Sequence, residues 1–245
     1  MNDELAHLSG ILRRTPARLL VGRAGSSYRT STQLQLRSDH AFARDAVQAE
    51  LDAGWLAANN LRELHTMAGT KAEHLLRPDL GRRLCDDSRQ VLATEYPRGA
   101  QLQLVVGDGL SATAVVAQVP RLLPLLHEGA ARRGRSVGKP FAIRYCRVGV
   151  LNDIGDVLQP QVVILLIGER PGLATADSLS AYMAFQPRSG HTDAQRNLIS
   201  NIHSRGIGHA EAAERILALG DQMMHRQKSG VAIKESMPDS VHTLN

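Results

Sequence analysis

The sequence predicts an α/β fold with a Rossmann-like, mainly parallel sheet, and three observations predict it. The run Val162-Val163-Ile164-Leu165-Leu166-Ile167 is continuously apolar and rich in β-branched residues, as suits a strand buried on both faces. Two further apolar segments, Leu102 to Val106 and Phe141 to Cys146, precede it at spacings that leave room for a helix between each pair. Each of the three hands over to a glycine-bearing loop: Gly107-Asp108-Gly109, Arg147-Val148-Gly149 and Gly168-Glu169-Arg170-Pro171-Gly172. In an open parallel sheet those carboxyl ends share one edge, where ligands bind.

Residues 1–36 read as an extended arm, with Gly22, Gly25 and a serine/threonine cluster. Ser38-Asp39 offers an N-cap for a helix from His40 to Asp52, with Phe42, Ala46, Val47 and Leu51 on its apolar face. A second helix is expected from Ala57 to Met67 and a third from Asp79 to Thr94, closed by Pro97 and Gly99. The division is therefore residues 1–99, an N-terminal arm and helical region, and residues 100–245, the Rossmann-like domain. In the second part, Ser111 to Leu126 reads as a helix that Pro120 and Pro124 must kink or split. A short helix near Asp153 to Leu158 follows, then a strand at Tyr182–Gln186, a helix over Thr192–Ile202, and a last helix from His209 to Gln227.

The chain's 245 residues suit one large domain or a core with an appendage, and the 43% hydrophobic and 22% charged content is that of an ordinary globular protein. No apolar run approaches the ~20 residues of a membrane span. The segment Met1 to His7 carries acids and no apolar core, so no secretory signal is expected. Cys85 and Cys146 are too few for a disulfide framework, and a cytoplasmic location is expected. The net charge is +5 with only four lysines, and Arg13 to Arg29 holds five arginines and no acid. A solvated arm or a subunit interface is preferred there to a nucleic-acid patch, because aromatics are only 3%.

The chemistry is sparse. Gly107-Asp108-Gly109 opens like a dinucleotide loop, but Ala112 stands where the third glycine belongs, so a tight turn is an equal reading. Glu169 and Arg170 could serve as general acid and electrostatic clamp. Adjacent side chains leaving a strand point apart, which favours one ligand contact and one surface charge. His191, His203 and His209 lack metal-ligand spacing, and no catalytic motif is present. A marked pocket edge with no nucleophile, base or metal set describes a holder of something reactive. Neither a catalytic nor a metal-binding residue is assigned.

Several short motifs, in order along nearly the whole chain, carry a family resemblance. They are Arg14-Thr15-Pro16-Ala17-Arg18, Ser38-Asp39-His40, Gly107 to Ala112, Arg147-Val148-Gly149, Gly168 to Leu173, Ser178 to Tyr182, Ile199 to His203 and Lys228-Ser229-Gly230. With them the chain resembles the small subunit (light chain) of ethanolamine ammonia-lyase. The resemblance implies an adenosylcobalamin-dependent ammonia-lyase, a carbon–nitrogen lyase that converts ethanolamine to acetaldehyde and ammonia by radical chemistry. It implies a TIM-barrel large subunit that holds ethanolamine, with the cofactor between the two chains and this chain inactive alone.

The resemblance carries the family's cofactor contacts to Val148, Glu169 and Leu198. Leucine at the last of these replaces a frequent cysteine, so any contact there is apolar or through the backbone. The cobalamin pattern Asp-x-His-x-x-Gly is absent, in keeping with a base-on cofactor. The longer N-terminal extension of enteric members is not seen, so encapsulation in a microcompartment stays open but unsupported. The basic stretch Arg13–Arg29 is assigned to contact with the large subunit. The rival reading is a stand-alone nucleotide-binding Rossmann-like enzyme that uses the Gly107–Ser111 loop.

Overall fold

A computed structural model describes Leu8, Ile11, Leu19 and residues 21–172 and 175–235. The described part opens with a short antiparallel hairpin, β1 (Arg23–Ala24) and β2 (Ser27–Tyr28). Helix α1 (Thr30–Gln48) follows, then α2 (Ala53–Ala58), β3 (Arg62–His65), α3 (Lys71–Leu76) and α4 (Asp86–Glu95). The second part runs β4 (Leu102–Gly107), α5 (Ala112–Arg132), β5 (Val137–Arg144), α6 (Leu151–Leu158), β6 (Val162–Gly168), β7 (Leu179–Phe185), β8 (Asn197–Ile202) and α7 (His209–Arg226).

Six strands form one sheet in the order β3-β5-β4-β6-β7-β8. β3, β5, β4 and β6 are mutually parallel, while β7 and β8 add antiparallel to the β6 edge. The sheet is therefore mixed: β6 to β7 is joined by a loop rather than a crossover helix, which suits the antiparallel direction. Every residue of β4 and β6 is buried. Their side chains alternate between two cores. Leu104, Val106, Ile164 and Leu166 pack with α5 and α7 on one face, and Val105, Val163, Leu165 and Ile167 pack with α6 and Leu92 of α4 on the other.

Helix α5 follows β4 to one face and α6 follows β5 to the other. The chain thus diverges between two adjacent parallel strands, the arrangement that opens a crevice beyond their carboxyl ends. Strands β4, β5 and β6 and helices α6 and α7 agree with the sequence reading, and Ser111, the first residue of an expected helix, is the N-cap of α5, its hydroxyl accepting the Ala114 N–H at 3.1 Å.

Four elements differ from expectation. The first helix begins at Thr30, not His40, so part of the expected arm is helical; Phe42, placed on its apolar face, is 67% exposed, and Ala46 is its one buried residue. The helix expected over Ala57–Met67 is α2 followed by β3, an edge strand with only Leu64 buried. Asp79–Thr94 is a 3-10 turn (Leu80–Arg82) and then α4. Thr192–Ile202 is a 3-10 turn (Asp193–Gln195) and then β8. Three of the five arginines of the basic stretch, Arg13, Arg14 and Arg18, lie outside the described residues. Among the described residues no helix is long and apolar enough to cross a membrane.

Candidate functional site

The loops after β4, β5 and β6 are built onto one another. Asp108, fully buried at the end of β4, accepts the backbone N–H groups of Tyr145 and Cys146 at 2.9 Å each. Burial pushes its carboxyl above the ordinary carboxylate range, against those two donors and the Lys71 ammonium. On the other side the β4 loop touches the end of β6 backbone to backbone. Gly109 has φ +58, a Cβ there would collide with the Gly168 carbonyl oxygen, and the Leu110 N–H donates to that same oxygen at 3.1 Å. Only glycine meets both demands. The Leu110 N–H is thereby satisfied within the fold, and the Ser111 hydroxyl donates to the Ala176 carbonyl at 2.7 Å. The Gly107–Ser111 segment is thus a tight strand-to-helix turn.

Glu169 is the best-anchored polar group on this edge. Its backbone N–H donates to the Ser178 carbonyl at 3.1 Å. Oε2 accepts from Ser178 Oγ at 2.9 Å, and Oε1 accepts from Ser180 Oγ at 2.5 Å and from the Asn201 N–H at 3.0 Å. Ser178 and Ser180 alternate at strand spacing and so present the same side. The Asn201 donor comes from a bulge: Leu179 and Ala181 of β7 pair with Ile202 and Ile199 of β8, so β8 carries one extra residue. Asn201 sits there at φ +63, a conformation asparagine tolerates, and its N–H leaves the ladder to meet the carboxylate.

A pocket of about 350 Å³ opens beside this carboxylate. Val148, Glu169 and Leu198 all line it, with Leu110, Ile167 and Tyr182. Val148 opens a 3-10 turn after β5; Leu198 lies on β8 opposite Tyr182 and is 45% exposed. The three residues singled out in the sequence thus stand on three different elements around one cavity. Arg170 also lines it, exposed, beside rather than with Glu169.

The cysteine and histidines of this edge are structural or inert. Burial pushes the Cys146 thiol well up, so it stays protonated at neutral pH and is no nucleophile. His203 is buried and bonds to Asn201 Oδ1 at 2.6 Å, while His209 meets Gln118 Oε1 at 2.8 Å. His74, not singled out in the sequence, is fully buried under the β4 loop, with Nε2 3.0 Å from the Gly109 carbonyl oxygen. What sequence reasoning missed is the anchoring of Glu169 by Ser178, Ser180 and Asn201. The available signal is the serine pair at strand spacing.

This is an α/β protein with a pocket at the carboxyl edge of its sheet, partly apolar and lying beside a single fixed carboxylate. The family model of the ethanolamine ammonia-lyase light chain (EutC) matches residues 5–234. The ethanolamine ammonia-lyase small subunit of Clostridium perfringens is 40% identical over 221 residues, covering 90% of this chain and 75% of that protein. That of Clostridium acetobutylicum is 39% identical over 232 residues, 95% of each chain. That of Fusobacterium nucleatum is 43% identical over 222 residues, 91% of this chain and 75% of the relative. The chain belongs to the ethanolamine ammonia-lyase light-chain family.

Proposed function

We propose that the chain is the cofactor-covering small subunit of an adenosylcobalamin-dependent ethanolamine ammonia-lyase, active only with a TIM-barrel large subunit that holds ethanolamine. In this reading residues 1–99 are an N-terminal arm and helical region. Residues 100–245 are a Rossmann-like cobalamin-contacting domain, a view supported by parallel strands with helices on both faces. The observation that carries the reading is the convergence of Val148, Glu169 and Leu198 on one pocket at the carboxyl edge of the sheet.

The residues present fit one edge of a corrin. An ionised carboxylate has about four acceptor positions. Glu169 fills three within the fold, which leaves one for an amide N–H of the corrin rim. The two serine hydroxyls and the Asn201 N–H fix the carboxylate before any ligand arrives, so little ordering remains to be done on binding. Val148 and Leu198 offer apolar contact beside it, and Val148 also a backbone amide. A pocket of about 350 Å³ is at the small end for even a drug-sized ligand and takes only one side of a macrocycle. The other side needs a second chain.

When bound, the cofactor supplies the hydrogen-abstracting radical chemistry, and the protein supplies orientation and exclusion of side reactions. This chain's residues bind, orient and shield. The test is co-expression with the large subunit and an assay for acetaldehyde from ethanolamine. Activity is expected only when both chains and adenosylcobalamin are present. Activity from this chain alone, or from the large subunit alone at the same rate, overturns the reading.

A further inference from the structure

A wider cleft of about 720 Å³ adjoins the pocket, sharing Arg147, Val148 and Tyr182 with it. Arg82, Arg83, Arg147 and Arg196 line it, together with two acids, Asp153 and Asp193. Both acids are engaged. Asp153 accepts the Leu84 N–H at 2.8 Å and pairs with Arg89 at 3.0 Å, and Asp193 pairs with Arg196. Among the described residues Arg82, Arg83 and Arg147 are left without an acidic partner.

The packing brings these cations together. The 3-10 turn at Leu80–Arg82 nests on the turn at Val148–Val150, with the Arg147 N–H donating to the Gly81 carbonyl at 2.7 Å. A Cβ on Gly81 would lie 2.7 Å from Arg147 Cγ, and one on Gly149 would lie 2.8 Å from Arg82 Cβ. The nesting therefore needs glycine on both sides, and its product is two guanidinium-bearing turns in contact. One Nη of Arg147 donates to the His74 carbonyl at 2.8 Å, while its Nε is buried with no partner. Burial, then the positive charges of Arg170 and Arg82, hold this guanidinium below its ordinary range. Like charges crowded around a concavity, with a buried donor unused, cost free energy that an anion would relieve. Guanidinium forks suit the oxygens of a phosphate in particular.

We propose that this cleft receives a phosphate ester, namely the phosphodiester in the nucleotide tail of the cobalamin whose corrin edge rests on Glu169. The inference rests on the cofactor assigned above and adds a second, electrostatic anchor for it. Arg82 and Arg83, both exposed, supply the solvent-facing part of the site, and Arg147 the fixed part.

The test compares cobalamin with cobinamide, which keeps the corrin but lacks the nucleotide tail and its phosphodiester. Both are titrated by absorbance into the assembled two-subunit complex, wild type and Arg82→Gln/Arg83→Gln. The double variant should weaken cobalamin about tenfold or more, the scale of a lost charge-assisted contact, and leave cobinamide within about twofold of wild type. Equal losses for both corrinoids, or none for cobalamin, overturn the phosphate site. Retained cobalamin affinity with lost binding of inorganic phosphate would move the anion from the cofactor's tail to free phosphate, and so also overturn it. Failure of cobalamin to bind the wild-type complex would instead overturn the cofactor reading itself.

Discussion

His74, fully buried beneath the β4 loop, makes the fold sensitive to acid in a definite direction. Burial first, and then the Arg147 charge, lower its pKa from 6.5 to about 4. The unfolded chain therefore binds the proton more readily. Stability from this group is full above about pH 6.5 and falls as the pH drops toward 4. The loss is at most about 3.5 kcal/mol, at roughly 1.4 kcal/mol for each pH unit between the two values. Asp108, whose carboxyl burial pushes up, acts in the opposite sense. Wild type is therefore compared with His74→Phe, since both keep Asp108. Urea melts at pH 7 and pH 5 should show wild type losing more stability than the variant. Equal losses would refute the assignment. Nothing local in the sequence marks His74, because its burial is set by contact with a loop 35 positions away. Glu169 is half legible: a glutamate at a strand end before Pro171 marks a pocket edge, but its partners lie on strands whose pairing no local pattern gives.

Among the elements, strands buried on both faces are legible and edge strands are not. β4 and β6 are wholly buried, so their composition is apolar almost without interruption. β3 buries only Leu64 and has no pattern to read. β8 imitates a helix for a specific reason: its bulge puts Ile199 and Ile202 on the same buried side at a spacing of three. Three is a helical spacing, and an extra residue in a strand reproduces it. Helix α5 shows the reverse case. Two interior prolines predict a kink or a split, yet Ala112–Arg132 is one helix. Val116, Pro120 and Pro124 are exposed and follow one another at i+4, so the carbonyls that lose their N–H partners face water. Replacing both prolines with alanine should raise stability by about 4 kcal/mol, since each helix-interior proline costs about 3 kcal/mol and the stiffer unfolded chain offsets up to about 1 kcal/mol of that at each site. Denaturant melts measure it, and a destabilised variant would show that the prolines fit a shape the helix needs.

Across the whole molecule, the divergence of α5 and α6 to opposite faces places the crevice, and the antiparallel pair β7–β8 walls it on one side. The parallel core is legible from three apolar runs and their loops. The antiparallel extension is not, because strand direction depends on the connection and not on the strand's own residues. Sequence therefore locates the pocket edge, while the wall that carries Leu198, Ser180 and Ser200 emerges only with the fold. A pocket with one fixed carboxylate, beside a cleft where Arg82, Arg83 and Arg147 have no acidic partner among the described residues, fits the proposed cover whose ligand is shared with a partner.

If Glu169 anchors cobalamin at that shared seam, its loss must show in affinity before anything else. The most direct measurement is equilibrium titration of cobalamin, followed by its absorbance, into the assembled complex with wild-type chain and with Glu169→Ala. The wild-type complex should bind and the variant should bind about tenfold more weakly or worse, with assembly and far-ultraviolet circular dichroism unchanged. Equal cobalamin affinity in the two complexes would be incompatible with that role.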